Sequence, residues 1–156
     1  MRRLRAGEWL AALGGVSLIV TLTLDWYGAR GREAGVSGFA AFDVIDVLLV
    51  LAAGTGIALA VVQATRERPA LPVAAAVLTA TIGMLATLLV GYRIVNEPGP
   101  DEFLVVRAGA YLGLLAVAAM TAGGWLALGT ERVPGLPPGP EPELRPAPRI
   151  AADAEP

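Results

Sequence analysis

Charge avoids four long stretches of this chain. Trp9–Leu24, Val47–Thr65, Pro69–Tyr92 and Ala108–Thr130 run for 16, 19, 24 and 23 residues without a charged side chain. A helix rises about 1.5 Å per residue and a bilayer core is roughly 30 Å thick, so about 20 apolar residues cross it. The last three stretches meet that length alone or with a flanking residue or two. The first meets it if Glu8 and Asp25 mark the two interfaces. None carries a polar stripe, as suits helices facing lipid or a bundle interior. The pattern predicts an all-α integral membrane four-helix bundle, with spans at about 8–26, 43–65, 69–92 and 105–129. The first span follows Arg2, Arg3 and Arg5, as a signal peptide would. Its exit, Leu24-Asp25-Trp26-Tyr27, lacks a small-x-small cleavage pattern, so retention as a helix is expected.

The connections set the threading. Arg66-Glu67-Arg68 leaves room only for a tight antiparallel turn between spans two and three. Pro69 and Pro72 suit the first turn of the next helix. A glycine-rich segment from Asp25 to Ala41 joins spans one and two, and Asn96-Glu97-Pro98-Gly99-Pro100-Asp101 turns the chain between spans three and four. Residues 131–156 hold eight of the twelve prolines and little apolar clustering, so a disordered tail is expected there.

Charge then orients the bundle. Arg2, Arg3, Arg5, Arg66, Arg68 and Arg132 fall on one side, against Arg30, Arg32, Arg93 and Arg107 on the other, which favours cytoplasmic termini. The expected location is a bacterial cytoplasmic membrane. Trp26, Tyr27, Phe39, Phe42, Tyr92, Phe103 and Tyr111 gather towards the outer side. They suit an interfacial belt, and Trp26, Tyr27, Phe39 and Phe42 also suit a small cap over the outer end of the bundle.

Composition removes much chemistry. The chain has no cysteine, histidine or lysine, and all twelve basic residues are arginine. Thiol nucleophiles, Cys/His zinc sites, imidazole bases and Schiff-base lysines are thereby excluded. No catalytic set, cofactor or metal site is implied, and no nucleic-acid partner. The candidate site is a polar cluster at the outer end, formed by Asp43, Asp46, Arg93 and Arg107. Asp43 suits a cap or first-turn acid. Asp46 sits among apolar residues, where a carboxylate calls for a partner or a proton, and Arg107 is the expected partner with Arg93 second. No further ionisable group continues inward from them; only threonines do, which favours a structural clamp over a proton route.

Small residues recur every fourth position: Ala75, Thr79, Gly83, Thr87 and Gly91; Ala52, Gly56, Ala60 and Ala64; Gly109 and Gly113. Such stripes let helices approach closely in lipid, inside one bundle or between copies, and packing within the bundle is favoured.

The segment Leu24-Asp25-Trp26-Tyr27, the glycine-rich loop, Phe39-Ala40-Ala41-Phe42-Asp43-Val44-Ile45-Asp46, Gly109-Ala110-Tyr111-Leu112-Gly113 and Gly123-Gly124-Trp125-Leu126 resemble a group of small uncharacterised four-span membrane proteins of high-GC actinobacteria. The resemblance covers roughly residues 1–130 and implies a four-helix bundle in the cytoplasmic membrane, with no activity. Four-span junction proteins of animals also carry an aromatic first outer loop, but their paired cysteines there have no counterpart here. The expected role is a non-enzymatic scaffold or accessory membrane component; the alternative is a small transporter or channel-like protein using the Asp/Arg cluster. The lipid bilayer is the expected partner, with a further copy or another membrane protein beside it.

Overall fold

The computed structural model describes residues 4–42, 44–65, 70–97 and 104–129. Residues 1–3, Asp43, residues 66–69, residues 98–103 and residues 130–156 lie outside them. The described chain is mostly helical. Four longer helices appear: α1 (Ala6–Leu22), α3 (Ile45–Thr65), α4 (Ala70–Val95) and α5 (Ala108–Gly129), with a single turn, α2 (Gly38–Ala41), before α3. Three stretches, Ile45–Thr65, Val73–Val95 and Ala108–Gly129, are long and apolar enough to cross a membrane; α1 is shorter, at 17 residues.

The helices pack in a ring, each antiparallel to its neighbours. Gly7 of α1 lies against Gly123 and Ala127 of α5, and Gly14 against Ala116 and Met120. Gly15 meets Ala53 of α3, and Gly56 of α3 meets Ala11. Across the α3–α4 seam, the Thr79 hydroxyl donates to the Thr55 carbonyl at 3.0 Å. Across α4–α5, Gly83 faces Thr121 and Gly124 faces Ala80. The α1 contacts with α5 are backbone on backbone. A Cβ placed on Gly14 would stand 2.5 Å from Met120 N and 2.8 Å from Ala116 O, so no other residue fits without parting the helices. In lipid, where the hydrophobic effect does not drive helices together, such close approach is the main source of cohesion.

The small-residue stripes are thus largely used within the chain. Gly56, Gly83, Gly109 and Gly113 all face neighbouring elements, whereas Gly91 faces open space. The sequence reading missed the glycines of α1, at 7, 14 and 15, and those at 123 and 124 of α5.

The all-helical expectation omitted a sheet. The segment after α1 folds as β1 (Asp25–Ala29) and β2 (Gly35–Ser37), and β3 (Leu104–Val106) enters from just before α5. The three strands are antiparallel in the order β2-β1-β3. Span four was expected to begin near residue 105; the chain there is strand, and the helix starts at Ala108. The strand order explains why: Val106 pairs with Tyr27 and Leu104 with Ala29, so these residues satisfy their backbone against β1 before the chain turns into the helix.

Candidate functional site

The sheet lies over one end of the helix ring, and nearly all the distinctive side chains gather beneath it. Register slips between Asp25 and Tyr27 on the β2 side, leaving Trp26 without a partner there. A bulge of this kind re-aims side chains. Here it lets two consecutive aromatics turn inward, with Trp26 fully buried and Tyr27 only 2% exposed. The Trp26 ring fills the space left by Gly113 and Gly109 at the start of α5, and its indole N–H donates to the Thr21 carbonyl at 2.7 Å, near the end of α1. Phe42 stands edge-on to both neighbours, 5.4 Å from Trp26 and 5.9 Å from Tyr27 between ring centroids.

Tyr27 carries the contact on to α4. Its hydroxyl donates to the Arg93 carbonyl at 2.9 Å, which satisfies one of the carbonyls orphaned at that helix end. Burial raises the Tyr27 pKa above its usual value of 10, and Glu97 adds to the rise while the Arg93 charge opposes it. The phenol is therefore a neutral donor at ordinary pH. The Arg93 guanidinium lies 5.0 Å from the Phe42 ring centroid, a cation–π arrangement. Its buried Nε and the buried Glu97 Oε2 have no hydrogen-bond partner among the described residues.

Arg107 sits at the β3–α5 junction. Its backbone N–H donates to the Trp26 carbonyl at 2.8 Å. Its side chain crosses β1 at Gly28, where a Cβ would meet Arg107 Nη2 at 2.6 Å and Cζ at 2.7 Å. Beyond that window Nη2 donates to the Arg32 carbonyl at 2.6 Å and, more weakly, to the Ala34 carbonyl at 3.4 Å. One arginine from the segment before α5 thus ties down the turn of the β1–β2 hairpin.

The four residues expected to cluster are distributed as follows. Arg93 and Arg107 are both at the sheet end, but on different partners. The Asp46–Arg107 ion pair is not formed. Asp46 instead accepts the Val47 N–H at 2.7 Å, in the first turn of α3, where the helix dipole favours a carboxylate. Arg107 goes to backbone carbonyls because the hairpin brings two of them within its reach, and Gly28 clears the path. Asp43 falls outside the described residues. Of the four aromatics expected in a cap, Trp26, Tyr27 and Phe42 are buried, while Phe39 on α2 stays 42% exposed. At the opposite end of the ring, Glu8 is 2% exposed and accepts the Arg5 N–H at 2.6 Å. The sequence reading treated it as an interfacial residue. A carboxylate three positions after a helix start is a capping signal that could have marked it.

The geometry supplies cohesion. No group of three or more metal-ligating side chains is present among the described residues. The hydroxyls that line the seams are committed to carbonyls: Thr21 to Leu18, Thr55 to Ala52, Thr87 to Gly83 and Thr121 to Val117, with Thr87 and Thr121 also 3.2 Å apart.

The Arg107 tie has a measurable consequence. Hydrogen bonds to charged donors contribute about 1.5–3 kcal/mol when buried, and less at a partly exposed site such as this. Replacing Arg107 with Gln is expected to raise tryptic cleavage after Arg30 and Arg32 by about tenfold, the factor that ~1.4 kcal/mol of easier local opening gives. Equal cleavage rates in the two proteins would show that the hairpin turn is held by something else.

Comparison with family models, with curated proteins and with solved structures finds no match for this chain.

Proposed function

We propose that the chain is a four-span integral protein of a bacterial cytoplasmic membrane, a non-enzymatic scaffold or accessory component with both termini cytoplasmic. In this reading the helix ring anchors the protein and the strand cap is its outer, partner-facing surface. The observation that carries it is the closure of the seams that α1 makes with α3 and α5. Glycines 7, 14, 15 and 56 leave backbone against neighbouring backbone, and the seam threonines spend their hydroxyls on carbonyls. A transporter needs polar groups turned towards a path and elements able to part. Here the seam threonines are turned towards the chain itself, and Trp26, Phe42 and Arg93 pack together at the sheet end.

The small transporter or channel using the Asp/Arg cluster remains the alternative, and what favours it is the buried Arg93 Nε, which has no hydrogen-bond partner among the described residues. The proposed location and the likeness to four-span actinobacterial proteins rest on arginine asymmetry and loose motifs in the sequence.

Because the chain lacks cysteine, introduced thiols report without background. Thr87→Cys places one in the α4–α5 seam and Ala34→Cys one in the hairpin. In intact cells, a membrane-impermeant maleimide is expected to label Ala34→Cys and to leave Thr87→Cys untouched, from either side in inverted vesicles. Labelling at position 87 would favour a water-filled path and the transporter reading. Protection of position 34 on intact cells, with labelling in inverted vesicles, would overturn the orientation.

A further inference from the structure

Two opposite charges stand near the sheet end of α4 and do not meet. Arg93 lies over Phe42, yet its guanidinium makes no hydrogen bond or ion pair among the described residues. Glu97 follows four residues later, and its buried Oε2 has no partner there either. The Asn96 N–H donates to the Tyr92 carbonyl at 2.7 Å, so the helical turn runs on to that point. Residues four apart on such a turn are neighbours on one face. Both charges act on the Tyr27 phenol, Glu97 raising its pKa and Arg93 lowering it. Charged groups partly withdrawn from water and left unmatched cost stability unless something else satisfies them. Both side chains stay partly exposed, so a ligand can reach them.

The face of α4 that carries Arg93 continues down the helix as Leu89, Ala86 and Ile82, in steps of four, three and four. With Leu48, Leu51 and Ala52 of α3, these residues line an apolar groove of about 330 Å³. From Ile82 to Leu89 its wall rises roughly 10 Å. The groove is open on the outside of the ring, where Leu48 is 50% and Leu51 63% exposed. Its inner side reaches Leu49 and Ala86, which belong to the same buried cluster as Phe42, the ring beneath Arg93.

We propose that this groove seats an acyl chain of a zwitterionic phospholipid, whose phosphate meets Arg93 and whose headgroup ammonium meets Glu97. The inference rests on the reading of the helix ring as membrane-embedded. Guanidinium N–H groups match phosphate oxygens in pairs, and an ammonium offers three donors to a carboxylate. The charges select the headgroup. Arg93 and Glu97 sum to zero, and Asp46 adds another acid in the first turn of α3. A purely anionic lipid would match Arg93 and face the acids unpaired, whereas a headgroup with both signs matches both. The apolar groove one turn below the charges selects a lipid over a free phosphate ester.

The test uses the full chain in non-ionic micelles, where orientation across a membrane plays no part; thiol labelling tests the membrane reading separately. The probes are dioleoyl phosphatidylethanolamine, phosphatidylcholine and phosphatidylglycerol, with retained lipid counted by native mass spectrometry. One phosphatidylethanolamine per chain is expected, held at least tenfold more tightly than phosphatidylglycerol. It should also outbind phosphatidylcholine, whose quaternary nitrogen has no N–H to donate. Arg93→Gln is expected to weaken retention at least tenfold, and Leu89→Trp, which fills the groove, to weaken it likewise. Glu97→Gln should remove the preference over phosphatidylcholine, a change of selectivity that misfolding would not produce. Arg30→Gln and Asp43→Asn should bind as the unaltered protein does. Equal retention of the three lipids would overturn the proposal, as would undiminished binding in Arg93→Gln. Equally tight capture of glycerophosphoethanolamine, which has no acyl chains, would show that the groove plays no part. Binding that appears only after Asp43→Asn would count against it as well, since Arg93 would then be matched within the chain.

Discussion

Gly123→Val is expected to be the most damaging small change in the protein. A Cβ at this position would meet Ala11 N and, at 2.6 Å, Gly7 O. These are backbone atoms of α1, so no side chain can swing aside; α1 and α5 must separate. Overpacking a fitted interior costs about 1–3 kcal/mol where side chains can adjust, and this site belongs at or above the top of that range. The loss extends along the seam, because Gly7, Gly14 and Gly123 hold the same two helices together. Gly54→Val is the control. That glycine also lies within a helix, but a Cβ there meets nothing within 4 Å. Reversible unfolding in mixed micelles should show Gly123→Val destabilised by about 3 kcal/mol or more and Gly54→Val changed by less than about 1 kcal/mol. Indistinguishable unfolding of the two would refute close backbone packing as the source of cohesion.

Trp26→Ala should be nearly as costly, for the opposite reason. The side chain is wholly buried, edge-on to Phe42, and set into the gap over Gly113. Removing a large buried aromatic costs about 3–5 kcal/mol, since the walls close only partly on the void. Helix ends meet there, so they have little freedom to collapse. Trp26→Phe separates shape from hydrogen bonding: it keeps a ring but leaves the Thr21 carbonyl without the indole donor, a loss of about 1 kcal/mol. The expected order of stability is unaltered, then Phe, then Ala. If Trp26→Ala unfolds with the unaltered protein, the cap is an ornament on the helices rather than part of their core.

Why the helices were legible and the cap was not follows from what each leaves in the sequence. A charge-free run such as Val47–Thr65 has few alternatives, and the helix Ile45–Thr65 lies within two residues of it. The strands are five, three and three residues long, too short to show alternation. The bulge at Trp26 and the glycine at 28 erase even the period of two that β1 should display, since Trp26, Tyr27 and Gly28 are all buried. β3 was hidden differently: Leu104-Val105-Val106 is apolar and adjoins a span, so it merged with the helix that follows.

The charged residues show a second limit. The positions of Arg93 and Arg107 near one end were readable from the spans. Their partners were not, because sequence displays side chains and hides carbonyls. Arg107 was assigned a carboxylate when its acceptors are the backbone of Arg32 and Ala34, reachable only because Gly28 has no side chain. The stripe of α1, Gly7, Ala11 and Gly15, has the same four-residue spacing as the others and was legible; Gly14, seven residues from Gly7 and almost two full turns on, returns to nearly the same face.

The strand order carries a consequence for how the protein is made. β1 is the first strand to leave the ribosome, and β3, its neighbour on one side, is synthesised only after two entire helices. At roughly 5–20 residues per second, that wait lasts from a few seconds to about fifteen. Throughout it the hairpin lacks its third strand, and Trp26 lacks the glycine face of α5 that covers it. The helix that shelters Trp26 is therefore made only after α3 and α4. A nascent chain that stalls before α5 would hold that tryptophan exposed, a mark by which quality-control proteases could tell an unfinished molecule from a finished one.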